Sequence, residues 1–330
     1  MDDKPGFVKR QLLILDMGIF YWIMCVFRAG LTLIDTFLDP LLGYTIQHGS
    51  REERKKSEAY EYSAQVVHLL GRGTYSPLQP LQLHNFVWRH GKYVHPKYVL
   101  DSDNITLMGV TPSHAFFCVS DPNYDVYDTK VNQRFSLEGP DEELDKIYFR
   151  QTAPFLFLTQ FLKAQKLVIM SHSSFNRLGA EIGDPKNVRI TFVNMTARCG
   201  STLLSQMISR TPKSKVMSEP WCLVHSHGHF IQGLLSMAEY KRLLRNLVRL
   251  QCKAGQEQDV DHIFIKTTML MSSAFPMLKK LFPEAVYIFN TRRFKQSLES
   301  SMQLFRGTSP LFNLTGAFFK AIIKMYISIN

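Results

Sequence analysis

The residues best suited to chemistry fall in one stretch, Asn194–Trp221, "NMTARCGSTLLSQMISRTPKSKVMSEPW". Arg198, Cys199, Gly200, Ser201, Thr202 and Leu203 follow an apolar run and open a helical one, the pattern of a strand end, a tight turn and a helix start. Free N–H groups at a helix start, with the positive end of the helix dipole, bind phosphate-like anions. Gly200 lets the backbone approach an anion closely, Ser201 and Thr202 offer hydroxyl donors, and Arg198 adds a permanent charge. The nucleoside-triphosphatase loop needs a lysine directly before its hydroxyl residue and magnesium on that hydroxyl. Here Cys199 and Gly200 precede Ser201 and the cation lies on the near side of the glycine, so ATP hydrolysis is disfavoured. Further along, Glu219 precedes Pro220, Lys266 closes "HIFIK", and Arg292 and Ser300 stand eight apart in "TRRFKQSLES".

These groups need elements to position them. After "GAEIGDPKN" the pattern alternates: strand "VRITFVN", a helix from Ser201 to Ser209, strands "HIFIK" and "AVYIFN" around a helix at "AFPMLKKLF", and a helix in "RFKQSLESSMQLF". "GLLSMAEYKRLLRNLVRLQCK" sets an apolar face of Leu243, Leu244, Leu247 and Val248 against Arg242, Arg245 and Arg249, a solvated face or, less simply, an acidic-glycan site. The expected class is α/β, a parallel sheet flanked by helices, with ligands at the carboxyl ends of the strands. The stretch between Ile208 and Trp221 reads as a charged turn, and "HSHGHF" (His225, His227, His229) as a loop lining a pocket; without further ligands at suitable spacing no metal site is expected.

Upstream, Leu81–Leu137 shows short apolar alternations broken by "HPK", "TPS" and "DPN", a small β-rich section, and "GPDEELDK" opens a helix running toward Leu167. The first segment carries an apolar run, Leu12–Phe27, with Asp16 its only charge. It is slightly short for a span of about 20 residues. Buried or partner-packing helices and a membrane anchor both remain open; Lys9 and Arg10 would keep the N-terminus cytoplasmic if it inserts. The organisation expected is 1–49 apolar helices and possible anchor, 50–187 linker with a β-rich and helical extension, and 188–330 an α/β domain.

The charge supports this division. The 330-residue chain has a net charge of +11, yet from Arg189 onward 19 Lys or Arg face 7 Asp or Glu, a net of +12. Basic residues at cradle positions without interleaved stacking aromatics speak against nucleic acid. Five scattered cysteines make a disulfide framework unlikely to be the organising principle.

The ordered set of motifs resembles the sulfotransferases that use 3′-phosphoadenosine 5′-phosphosulfate (PAPS). "RCGSTL", Arg198 to Leu203, is similar to their first signature; "MSEPW" is similar to the Glu-Pro of the carbohydrate and tyrosyl-protein branches; "FNTRRFKQSLES" carries the second signature as Arg292 and Ser300, with Arg293 and Ser301 as a shifted alternative. The resemblance spans Val188–Asn330 and implies a P-loop-like sulfotransferase core that is short at its C-terminus. It further implies that Arg198, Cys199, Gly200, Ser201, Thr202 and Leu203 hold the 5′-phosphosulfate, Arg292 and Ser300 the 3′-phosphate, with Glu219 as general base and Lys266 and Arg198 on the sulfuryl oxygens. No metal is implied. In "IFIKTT", Thr268 stands where cytosolic members carry a histidine, which directs the base role to Glu219. The implied acceptor is a glycan or protein hydroxyl, and the implied setting a type II Golgi membrane glycoprotein, with a cytoplasmic location as the alternative. Sequons occur at Asn104, Asn194 and Asn313, of which Asn194 is expected to be buried at a strand end. A binding or scaffold protein of the same fold and a nucleotide-dependent kinase are the rival functions.

Overall fold

The computed structural model describes residues 19, 22–31, 33–34, 62–73, 82–127, 155–196, 198–255, 260–293 and 295–299. They form a mixed α/β structure with two sheets. The first sheet is antiparallel, built from β1 (Ala64–Arg72), β2 (Phe86–Val94), β3 (Ile105–Val110), β4 (His114–Val119) and β5 (Lys166–Ser171) in the order β2-β1-β5-β4-β3. The second is parallel, built from β6 (Arg189–Met195), β7 (Ser214–Ser218), β8 (His262–Lys266) and β9 (Val286–Asn290) in the order β7-β8-β6-β9. Among the helices that accompany them are α1 (Leu156–Lys163), α2 (His172–Ile182), α3 (Ser201–Ile208), α4 (Trp221–Ile231), α5 (Met237–Gln251) and α6 (Phe275–Leu281).

Burial explains the choice of elements. β3 is buried at every position and β4 at every position after His114, so "ITLMGV" and "HAFFCV" form the centre of the first sheet's packing. β6 is buried from Ile190 to Met195, the continuous apolar run of a strand covered on both faces. On one face Phe192 stacks on Tyr287 at 5.4 Å and meets Phe275 and Phe282 at 6.5 and 6.1 Å, which seats α6. α5 starts at a capping box between Ser236 and Glu239 and buries Tyr240, Leu243, Leu244, Leu247 and Val248. One contiguous core draws on both sheets, from Val66 and Phe117 to Phe192 and Ile265.

Four sequence expectations change. "SKVMS" is a strand, β7, because its backbone completes the ladder beside β8 even though only Val216 and Met217 are apolar. "HSHGHF" is not a loop; it lies in α4 with all three imidazoles buried. The helix aimed at Leu167 stops at Lys163, where the Arg72 guanidinium takes the carbonyls of Phe161, Leu162 and Ala164, and Leu167 belongs to β5. β1 precedes the expected β-rich section. The "GPDEELDK" expectation and most of Leu12–Phe27 lie outside the described residues; among these, no helix is long and apolar enough to cross a membrane. Residues 22–31 are helical, with Met24 buried and Trp22, Ile23, Val26 and Phe27 exposed.

Candidate functional site

Strand order creates the site. From β6 the chain moves to β7 on one side, while β9 lies on the other, so the strand order reverses at the carboxyl end of β6. Ligands of open parallel sheets bind at such a switch point. All four strands run parallel, so the groups that follow β6, β7, β8 and β9 share one edge. At about 4.8 Å per strand, β7 and β6 are about 10 Å apart and β9 lies one spacing beyond.

At β6, Arg198 (φ 60°) and Gly200 (φ 88°) both adopt the left-handed conformation and turn the chain sharply into α3. Gly200 caps that helix and has no side chain with which to bond the first-turn N–H groups. Arg198 and Gly200 are exposed, Cys199 and Thr202 half-buried, and Leu203 exposed. Ser201 differs from expectation: its hydroxyl turns inward onto the Met195 sulfur at 2.6 Å, so the outward hydroxyl of the pair is that of Thr202.

Arg292, just past β9, reaches back to this turn. Its Nη1 donates to the Arg198 carbonyl at 3.1 Å, its backbone N–H to Thr196 Oγ1 at 3.2 Å, and its Nε to Gln296 Oε1 at 3.3 Å. The two cationic segments expected at opposite ends of a nucleotide are therefore in direct contact. Ser300 and Ser301 lie outside the described residues.

At β7 and β8, Ser218 pairs in register with Lys266, which places Glu219 beside Lys266. Glu219 has φ 58°, held by its N–H donating to the Lys266 carbonyl at 2.7 Å. Lys266 Nζ donates to Glu219 Oε1 at 2.5 Å and to Ser218 Oγ at 3.5 Å, and lies 5.0 Å from the Phe155 ring centre. The lysine side chain is 2% exposed and the carboxylate 12%. Lys266 is thus the partner of Glu219 and not a solvated charge. Thr267 donates its N–H to the Val193 carbonyl at 2.8 Å, and Thr268 Oγ1 is buried without a partner among the described residues.

From sequence, a nearby lysine is one partner open to Glu219 and a salt bridge one role open to Lys266; that the two pair with each other follows from the register between β7 and β8, which no local pattern encodes. The sequence reading missed Phe155, whereas Asn194 is buried at the end of β6 as expected. Asn194 is 1% exposed and ties the strand ends together, its Nδ2 donating to Ser272 Oγ at 3.1 Å and its Oδ1 accepting from Met195 N–H at 2.9 Å.

The histidines of α4 are core groups. His227 bonds Tyr240 Oη at 3.0 Å and Ser273 Oγ at 2.7 Å. Burial lowers the pKa of His227 and His229 and brings that of His225 down to about 3, so these imidazoles are neutral near pH 7. Arg245 and Arg249 both pair with Asp184, at 2.8 Å for Arg249, which removes two of the three arginines considered for an acidic glycan. No protein-family model, curated protein or solved structure matches the chain.

Proposed function

We propose that the chain is a PAPS-dependent sulfotransferase that transfers a sulfuryl group to a glycan or protein hydroxyl. The observation that carries this reading is the contact between Arg292 and the Arg198 carbonyl, at the open edge where α3 begins. A helix mouth and two guanidinium groups at one strand edge suit a nucleotide with phosphates at both ends, the feature that separates PAPS from ATP. The P-loop-like sulfotransferase core and a Golgi setting belong to the same proposal.

In the proposed reaction the acceptor oxygen attacks sulfur and the bond from sulfur to the 5′-phosphate oxygen breaks. The electron pair leaves with 3′-phosphoadenosine 5′-phosphate (PAP), and Glu219 takes the acceptor proton. Lys266 holds the carboxylate in place in the resting site and stands one strand from the cradle, where its ammonium can follow charge onto the transferring group. Arg198 and the first-turn N–H groups of α3 bind the phosphosulfate. The work is positioning and charge stabilisation, with no metal in the scheme.

A second reading, a binding protein without turnover, is favoured by the closed Glu219–Lys266 pair, which occupies the proposed base. One experiment separates the two. PAP should raise the unfolding temperature of the wild type, saturating ligand at a hundredfold excess over Kd adding about 2.7 kcal/mol, and do so less in Arg198→Ala and Arg292→Ala. Labelled PAPS with an acceptor panel then reads transfer, lost in Glu219→Ala. Binding without transfer supports the second reading. Equal stabilisation by ATP with magnesium, indifferent to the 3′-phosphate, rejects both in favour of a kinase.

A further inference from the structure

We propose that a second ligand site, apart from the strand-edge cradle and independent of the sulfuryl-transfer reading, lies between the β3–β4 turn and the starts of α2 and α5, and takes a small organic oxyanion: a sugar-sized body bearing sulfate, phosphate or carboxylate. The cleft encloses about 650 Å³, within the range of small-molecule sites. None of its lining residues follows a strand of the parallel sheet.

Its chemistry is two-sided. Leu235 and Leu243, 7% and 1% exposed, form an apolar floor, and the rim carries Arg177, Arg242, His172 and Asn176. Arg177 is pre-positioned, its guanidinium 4.0 Å over the Tyr62 ring and its Nε 3.3 Å from Glu181. Arg242 shares α5 with Arg245 and Arg249, but those two are committed to Asp184 whereas Arg242 lines the cleft. Glu239, the sole carboxylate among the lining residues, is turned to the cap of its own helix, with Oε2 accepting from Ser236 N–H at 2.8 Å and Ser236 Oγ at 2.6 Å. Asn176 accepts from Asn246 Nδ2 through Oδ1 at 2.9 Å and so keeps its own N–H donors for a ligand.

The backbone N–H of His172 donates to the Ser113 carbonyl at 3.0 Å, which ties the β3–β4 turn to the start of α2 and fixes the two sides of the rim.

The test titrates the full-length chain by calorimetry with glucose 6-sulfate, glucose 6-phosphate, glucuronate and, as neutral control, glucose. The anionic sugars should bind and glucose should not, and the strongest binder distinguishes ester from carboxylate. Arg242→Gln should weaken binding about tenfold or more, the loss of one charge-assisted contact. Ser173→Glu, an exposed change that adds a repelling charge at the rim, should abolish it. Both variants should keep the wild-type response to PAP, if PAP binds at all, and Arg198→Ala should leave sugar binding unchanged. Absence of saturable binding, unchanged affinity in both rim variants, or loss of sugar binding only in Arg198→Ala would overturn the proposal.

Discussion

Removing the Glu219 carboxylate should be more damaging than removing its partner. Lys266 Nζ has three neighbours: Glu219 at 2.5 Å, Ser218 Oγ at 3.5 Å and the Phe155 ring at 5.0 Å. Without the carboxylate, a 2% exposed ammonium keeps one long hydrogen bond and one aromatic face. An uncompensated buried charge of this kind costs about 3–5 kcal/mol. That is a large share of the roughly 5–15 kcal/mol that holds a domain folded. At about 2–4 °C per kcal/mol, Glu219→Ala should lower the unfolding temperature by about 6–20 °C. Lys266→Met fills the same volume and leaves a carboxylate that is 12% exposed and faces the open edge, so its loss should sit at or below about 3 kcal/mol. In the double variant neither charge is stranded, and the combined loss should fall well short of the sum. Urea unfolding of the four proteins measures the cycle. Additive losses, or a Glu219→Ala variant within about 0.5 kcal/mol of wild type, would show that the pair is not a buried unit and would remove the physical basis for Glu219 as a held base.

Other substitutions test the packing and the charges. A Cβ at Gly109 would lie 2.4 Å from Phe116 Cζ and 2.8 Å from His225 Nδ1, both in the buried core, so Gly109→Ala should cost about 1–3 kcal/mol in urea unfolding, and a neutral result would contradict the β3–α4 packing. His225 is held neutral by burial, its pKa lowered from 6.5 to about 3. The unfolded chain therefore binds a proton that the native state refuses: stability is fully present above pH 6.5 and falls toward pH 3, by at most about 1.4 kcal/mol per pH unit from this group. His225→Phe should flatten that slope, and an unchanged slope would refute the burial. Asp184 has its pKa lowered from 3.8 to about 2 by hydrogen bonds from Arg245 and then Arg249, so its contribution is present above pH 3.8 and lost as the pH falls through 2. With the carboxylate 41% exposed, screening limits that contribution to about 1 kcal/mol or less, and Asp184→Asn should change the difference between low and high salt at pH 5 by no more than that. Residues 188–330 expressed alone should fail to unfold cooperatively and should bind hydrophobic dye, because α4 and α5 would lose their cover; a sharp transition would refute the shared core.

What could be read from the sequence is what local patterns encode. β6, β8 and β9 are apolar runs bounded by polar turns, and α3 begins directly after Gly200, so these elements fall within a residue or so of expectation. β7 was hidden because "SKVMS" has only two apolar residues, and its strand character comes from pairing with β8 rather than from propensity. α4 was hidden for a related reason: three histidines and a glycine obscure the helical period, and burial of neutral imidazoles cannot be read from their type. The turn from Arg198 to Leu203 was legible as a list of residues. Its geometry was not, since the inward turn of Ser201 depends on Met195 and the closing of Lys266 on Glu219 depends on which strands are neighbours.

Strand neighbours also decide how far the site extends. Phe155, immediately before α1, places its ring over Lys266 Nζ and stacks at 5.6 Å on Phe157, which meets Trp221 edge-on at 5.0 Å. Trp221 opens α4, directly after Glu219 and Pro220, and α4 packs against β3. A row of aromatic contacts therefore runs from the Lys266 ammonium through Phe155 and Phe157 to Trp221 at the start of α4. The Phe155 ring covers the Lys266 ammonium, whose side chain is 2% exposed, and that exclusion of water is what makes a single carboxylate so valuable to it. Enlarging or removing Phe155 would alter the dielectric around the pair without touching either charge, so the energy of an interaction between β7 and β8 is set in part by a residue that belongs to neither strand.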